Sequence, residues 1–255
     1  MRLNTPRAAL FGTIAVSALA LAGCSASTPA AEPDGISIVA STNVYGSIAE
    51  SIGGDLVTVT SIITSAAQDP HSFEASAQDQ LALSKADLVI ENGGGYDPFI
   101  DTLISASSSD APVVDASEAS GLLEADHDDE GSTPPTSSDS DDHDAHDHVE
   151  GFNEHVWYSF HGVEHVAEAI AEQLSDLDAD NASTYQANLE AFTAQLETLE
   201  ASAESLHSST EGKGVAITEP VPLYLLEAAG FSNRTPEAFS EAIEEGTDEI
   251  GRAHV

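Results

Sequence analysis

The chain has 255 residues, of which 45 are Asp or Glu and six are Lys or Arg, so its formal net charge is −39. This balance excludes nucleic acid as a partner, because phosphate contacts need Lys and Arg. It suits a protein that handles cations, or one that is highly soluble outside the cytoplasm. A hydrophobic content of 41% supports a real core, and the length allows one large domain or two small ones.

Residues 1–23 have the pattern of a bacterial export signal. Arg2 and Arg7 precede an apolar run, residues 8–22, that is shorter than the ~20 residues of a membrane-spanning helix. The run ends in Leu-Ala-Gly before Cys24, the only cysteine, and this resembles a lipobox. We therefore expect a lipoprotein signal peptide, a lipid on Cys24, a flexible tether over 24–35 and an extracytoplasmic protein anchored to the cell membrane.

Strands and helices alternate in the next part of the chain. Short apolar or β-branched runs predict strands at 36–40, 56–63, 88–90 and 112–115, and helices are predicted between them at 44–52, about 76–85 and 97–107. The second of these helices begins with a capping box formed by Ser76 and Asp79. Three glycines at 93–95 fit a turn better than a phosphate loop, because no Lys follows them. The alternation predicts an α/β lobe, residues 36–162, built on a parallel sheet.

A helical connector, residues 163–212, is expected after this lobe. It contains a short amphipathic helix, 163–174, and a long one, about 180–207, whose apolar residues keep to a single face. At 1.5 Å per residue the long helix would span about 42 Å, so we interpret it as a spine joining two lobes. A coiled-coil partner helix is the alternative.

The last residues, 213–255, predict part of a second α/β lobe. They contain a strand at 214–218, a helix at 223–229 and a helix from Thr235 to about Glu245. This is too little for an independent core. The predicted fold is therefore two α/β lobes with parallel sheets, joined by one long helix, with the second lobe C-terminally incomplete.

A tract rich in histidine and carboxylate, residues 124–150, interrupts the first lobe. It holds eleven acidic residues and no Lys or Arg. Such composition predicts weak, flexible binding of divalent metals. A solvated acidic linker is the alternative. As an accessory metal-capture loop it would use His127, His143, His146 and His148.

Two sets of residues could carry the main chemistry. His71, His155 and Glu219 lie in loops beside predicted strand or helix ends, and α/β sheets bind ligands at the carboxyl ends of their strands. The second set, His161, Glu164 and His165, matches the H-x-x-E-H pattern of inverted zinc peptidases, a short pattern that chance also produces. A serine hydrolase has no support, because no G-x-S-x-G motif is present.

Several motifs in this order resemble the zinc/manganese ABC-transporter solute-binding lipoproteins. The resemblance covers roughly residues 36–248. It is carried by Cys24 in its lipobox, Val-Ala-Ser-Thr-Asn-Val-Tyr at 39–45, Asp-Pro-His-Ser-Phe-Glu at 69–74, Ala-Asp-Leu-Val-Ile at 86–90, the acidic His loop, Asn-Glu-His-Val-Trp-Tyr at 153–158 and Thr-Pro-Glu at 235–237.

The resemblance implies two α/β lobes with a metal ion in the cleft between them. It implies that His71, His155 and Glu219 are ligands, and that a fourth ligand, Asp or Glu, would lie beyond Val255. Glu219 resembles the manganese-type set and the His tract resembles zinc importers. Imidazole ligation favours Zn²⁺ over Mn²⁺. The ion is a transported ligand, so no reaction is expected.

The partners implied are an ABC permease with its ATPase, and the membrane through the lipid anchor. The chain itself is expected to be a monomer. Two alternatives stay open at this point. One is a zinc peptidase using His161, Glu164 and His165, and the other is a cell-surface adhesin or metal buffer that takes no part in transport.

Overall fold

The computed structural model describes residues 35–123, 151–244 and 246. The predicted signal peptide, nearly all of the tether including Cys24, and the tract at 124–150 with its four histidines lie outside the described residues. The same holds for residue 245 and for residues 247–255.

A four-stranded parallel sheet forms the first part of the described chain. Its strands are β1 (Ile36–Thr42), β2 (Val57–Ile63), β3 (Leu88–Glu91) and β4 (Val113–Asp115). They lie in the order β2-β1-β3-β4, and each neighbouring pair is parallel. The connections hold helices α1 (Asn43–Gly53), α2 (Ala77–Leu83) and α3 (Phe99–Ser107), and α4 (Ala116–Ala119) follows β4. The predicted α/β architecture is confirmed, with element ends shifted by a residue or two.

Two local predictions are also confirmed. Helix α2 begins at a capping box, in which the Ser76 hydroxyl accepts from the Asp79 N–H at 3.3 Å and the Asp79 carboxylate accepts from the Ser76 N–H at 2.7 Å. The glycines at 93–95 form a turn after β3, and all three have positive φ. At Gly93 a Cβ would lie 2.3 Å from the Asp115 carboxylate, so glycine is also required there for space.

The sheet separates two apolar layers, because successive strand residues point to opposite faces. On one face Ile38, Leu88 and Ile90 pack in the larger core, which contains residues of α1 and of two later helices. On the other face Ile63 and Val89 pack against α2 and α3. Burial on both faces explains why the centre of β1 and most of β3 are continuously apolar.

Two helices follow the acidic tract: α5 (Phe160–Leu177) and α6 (Ala182–Thr210). Helix α6 has 29 residues and corresponds to the predicted spine. Its first half buries Tyr185 and Leu189 in the larger core. Its second half carries the same apolar stripe but leaves Leu199 and Leu206 59% and 50% exposed. Periodicity therefore predicted the helix correctly, but not how much of its apolar face is covered.

The last described segment adds a small second sheet. Strands β5 (Gly214–Val215) and β6 (Ser232–Asn233) pair in parallel, and between and after them lie α7 (Leu223–Ala228) and α8 (Glu237–Glu244). The predicted strand at 214–218 is shorter than expected, and β6 was not predicted, because Ser-Asn carries no strand signal. The lobe boundaries at 162 and 212 stay predictions.

Among the described residues, none of the helices has both the length and the apolar character needed to cross a bilayer.

Candidate metal centre

His71 lies in the loop between β2 and α2, which a local hydrogen-bond network holds in place. The Asp69 carboxylate accepts from the His71 N–H at 3.1 Å and from the Ser72 hydroxyl at 2.7 Å. Pro70 fixes the backbone between Asp69 and His71. The His71 side chain is 14% exposed. A short Asp-Pro-His-Ser segment is therefore enough to present this imidazole at the carboxyl end of the sheet.

His155 is buried, with 2% of its surface exposed, and lies just before a 3-10 turn at Val156–Tyr158. Its Nδ1 lies 2.8 Å from the Asn153 side-chain oxygen, which also accepts from the His155 backbone N–H at 3.2 Å. An amide oxygen only accepts, so Nδ1 donates to Asn153, and Nε2 is the ring nitrogen that a metal ion would take. This is the tautomer that a metal-binding histidine needs.

Asn92 fixes the position of the segment that carries His155. It is fully buried at the end of β3, and its amide group donates to the Glu154 carbonyl at 3.0 Å. The Asn92 side-chain oxygen accepts from the Tyr45 hydroxyl. Residues of α1 and β3 thereby determine where His155 lies, although both are distant from it in sequence.

Aromatic rings surround both histidines. The Tyr96 ring makes edge contacts with His71 and His155, at centroid distances of 5.1 and 5.6 Å. Trp157 packs against Tyr96 and His155, each at 5.0 Å. These rings hold the imidazoles in place and reduce their contact with water.

A cavity of about 530 Å³ is lined by His71, His155 and Glu219, the three residues that the family resemblance implies as ligands. Glu219 is exposed, whereas both histidines are largely covered. The backbone next to Glu219 is linked to the segment that carries His155, because the Asn153 side chain donates to the Pro220 carbonyl at 3.4 Å.

Two further carboxylates lie beside the histidines. Glu244, at the end of α8, places Oε1 at 3.1 Å from His155 Nε2, and it also lines the cavity. Glu154 places Oε1 at 3.8 Å from His71 Nε2. Ligand atoms of His71, Glu154 and Glu244 all lie within 4.8 Å of one another. Neither Glu219 nor His155 is part of this compact group.

The sequence did not predict either carboxylate as a site residue. Glu154 adjoins His155, but its neighbour in space is His71, which lies more than 80 positions earlier in the chain. Glu244 reaches the cavity only because α8 packs near it. Acidic residues are so common in this chain that no composition signal could have selected these two.

Negative charge is concentrated around the cavity. Burial raises the pKa of the Tyr96 hydroxyl well above its usual value, and the carboxylates of Asp97, Glu154, Asp69 and Glu244 raise it further. Glu91 and Asp115 do not line the cavity, and burial, with neighbouring carboxylates adding to it, raises their pKa values to about 8 and about 6. A cation entering this region is attracted by that field.

The residues of the peptidase pattern lie elsewhere. His161, Glu164 and His165 are on α5 and do not line the cavity. His161 is exposed. The four histidines of the acidic tract lie outside the described residues.

An α/β framework that brings two oriented imidazoles and several carboxylates to one cavity can hold a borderline divalent cation. The chain belongs to the family described as zinc-uptake complex component A, periplasmic, whose model matches residues 38–254. This family consists of substrate-binding proteins of ABC importers and not of enzymes, as the sequence predicts.

The relatives and structures that match have names consistent with this family. The manganese-binding lipoprotein MntA of Halalkalibacterium halodurans is 30% identical over 222 residues, which are 86% of this chain and 66% of the relative. The manganese ABC transporter substrate-binding lipoprotein scaA of Streptococcus gordonii is 27% identical over 186 residues, 68% of this chain and 52% of the relative. The chain thus spans between about half and two thirds of these curated relatives.

A crystal structure of a ZnuA deletion mutant with zinc bound is also similar. Its TM-score is 0.62 at 26% identity, and the match covers 80% of this chain and 70% of that one. The predicted resemblance and the predicted fold class are therefore confirmed.

Proposed function

We propose that this protein captures a divalent metal ion, Zn²⁺ or Mn²⁺, outside the cytoplasm and delivers it to an ABC-type importer. The observation that carries the proposal is that His71, His155, Glu219 and Glu244 line one cavity. The family and the names of its members support this role.

We infer that His71 and His155 supply the nitrogen ligands. Asn153 leaves the lone pair of His155 on Nε2, and Glu244 lies 3.1 Å from that atom. In an ion complex the carboxylate and the imidazole would both turn toward the metal instead of toward each other. Glu219 is the carboxylate that the family resemblance selects, and Glu244 is an additional oxygen donor that the geometry suggests. An ion would bring Glu219 closer to the histidines.

The metal preference follows from the donor types. Imidazole nitrogen favours Zn²⁺ over Mn²⁺ in the Irving–Williams order, and carboxylates accept both ions. Both relatives described above are named for manganese, and the similar crystal structure contains zinc. We propose zinc as the preferred ion and manganese as a weaker one.

The same proposal includes the location and the partners. We propose that Cys24 carries a lipid that anchors the chain to the extracytoplasmic face of the membrane. A permease with its ATPase would receive the ion, and the acidic tract with His127, His143, His146 and His148 would collect cations near the cavity. The chain would act as a monomer.

Calorimetric titration of the chain from Ser25 onward with Zn²⁺ tests the assignment. The double variant His71→Ala, His155→Ala should lose about a hundredfold or more in zinc affinity, because carboxylates alone hold zinc poorly. The control is His207→Ala, an exposed histidine on α6. Unchanged affinity in the double variant would overturn the site.

The peptidase alternative is not favoured. A catalytic zinc site has three protein ligands around the ion. In the part of the chain that the structure describes, no third His, Cys, Asp or Glu ligand groups with His161 and His165.

A further inference from the structure

The histidine pair on α5 does not line the cavity, and its two rings lie close together. His161 and His165 are one helical turn apart, and their ring centroids are 4.0 Å from each other. Residues at this spacing share one face of a helix. The pair is fixed by the helix and not by a loop, which is what a preorganised site requires.

A hydrogen bond sets the tautomer of the second histidine. His165 Nδ1 lies 3.2 Å from the Ser120 carbonyl oxygen, a group that can only accept. Nδ1 therefore carries the proton, and Nε2 is left with the lone pair that binds metals. His161 is exposed, so its ring is free to adjust to a shared ion.

The distances fit one ion. At a Zn–N distance of about 2.0–2.1 Å and a tetrahedral angle, the two nitrogens are roughly 3.3 Å apart. Rings whose centroids lie 4.0 Å apart bring their nitrogens within reach of this spacing. The positive end of the α5 dipole lies nearby and opposes a cation. Glu164 and Glu168 offset that effect, since they follow at helical spacing on the same face.

We infer that His161 and His165 form a second divalent-metal site, a surface chelate for ions that prefer imidazole nitrogen, with water completing the coordination. Zn²⁺ fits this donor set, whereas Mn²⁺, which prefers oxygen ligands, does not. The site is independent of the cavity. A chain with both sites would hold zinc in two places and manganese in one.

The test isolates the pair by replacing the other candidate histidines. In the chain from Ser25 onward, His71, His155 and the four tract histidines are changed to Ala, and Zn²⁺ is titrated by calorimetry. This background should retain one zinc site, and a further His161→Ala should weaken it by about tenfold or more, because a chelate loses its second ligand. The matched control is His207→Ala, which removes a histidine that has no second histidine one helical turn away. This change should leave the zinc affinity unaltered. Mn²⁺ should not bind to the background protein.

A second measurement uses the chain with all histidines in place. Zinc added beyond one equivalent should shift the ¹⁵N resonance of His165 Nε2 more than that of Nδ1, and His161→Ala should remove this shift. The inference would be overturned by absence of the shift. It would also be overturned if His161→Ala left the zinc affinity unchanged in the background protein, in which the six other candidate histidines are replaced. Neither result bears on the cavity, whose own test is the His71→Ala, His155→Ala pair.

Discussion

Asn153 contacts both the ring and the backbone of His155. The Asn153 oxygen accepts from Nδ1 and from the backbone N–H of His155, at 2.8 and 3.2 Å. The Asn153 amide group donates to the Pro220 carbonyl, next to Glu219. In addition, the Tyr224 hydroxyl donates to the Asn153 carbonyl at 2.9 Å. Asn153 thus links one of the proposed nitrogen ligands to the segment that carries the proposed carboxylate ligand, Glu219.

We expect Asn153→Ala to weaken zinc binding by about tenfold while one ion still binds in the cavity, because the imidazole loses the partner that fixes its tautomer and its angle. Calorimetry measures both quantities. Gln195→Ala, which removes an exposed amide on α6, serves as the control. Unaltered affinity in Asn153→Ala would show that the ring is held by its aromatic neighbours alone.

For single residues, the sequence predicted His71 and His155 as candidates but did not predict Glu154 or Glu244. His71 and His155 stand in short segments whose local bonds, Asp69 to His71 and Asn153 to His155, are readable from neighbouring residues. Glu154 and Glu244 reach the site through packing between distant segments. No local pattern distinguishes them from the other acidic residues of the chain.

Parallel pairing of β3 and β4 brings two carboxylates together. Glu91 and Asp115 are register partners at the ends of these strands, and Asp97 lies beneath them, accepting from the backbone N–H groups of Asn92 and Gly93. Burial, followed by the charges of Asp97, Asp101, Asp115 and Glu118, raises the pKa of Glu91 to about 8. The strand ends therefore contain a carboxyl group that stays protonated near neutral pH.

The sign of the resulting pH dependence follows from proton counting. The folded state holds the Glu91 proton up to about pH 8, whereas the unfolded chain releases it near pH 4.5, so the free energy of unfolding falls as pH rises between these values. Glu91→Gln removes the titrating carboxyl group. The decrease in the free energy of unfolding between about pH 5 and pH 8 should therefore be smaller by roughly 2 kcal/mol in this variant. Urea denaturation at several pH values measures it.

The exposed Glu50 on α1 provides the comparison, because Glu50→Gln should leave the slope with pH unchanged. An equal loss of stability in Glu91→Gln and in the unaltered chain on going to pH 8 would contradict the prediction. It would show that deprotonation of Glu91 does not lower the free energy of unfolding.

At the scale of elements, periodicity predicted the parallel sheet and the long helix, because each signal repeats along the segment. It did not predict β6, whose two residues gain their strand geometry from pairing with β5. It predicted a single apolar stripe along α6, and part of that stripe, Leu199 and Leu206, is exposed. Coverage of a stripe depends on what packs against it, and the pattern of one helix does not contain that information.

The whole molecule combines a strongly acidic chain with a few histidine side chains. A net charge of −39 attracts cations without selecting among them. We propose that selection falls to His71 and His155, which contact Asn153 and the rings of Tyr96 and Trp157. Composition alone therefore indicates a protein that handles cations. The residues of the candidate site could be proposed only from the sequence motifs and then from the fold.

The central claim is that a metal ion binds between His71 and His155. Crystals of the zinc-loaded chain, measured at the zinc absorption edge, locate the ion by its anomalous signal. We expect a peak in the cavity with imidazole nitrogens of both His71 and His155 at about 2.0–2.1 Å. A zinc-loaded crystal with no peak in that cavity, whether or not zinc binds at His161 and His165, would contradict the account.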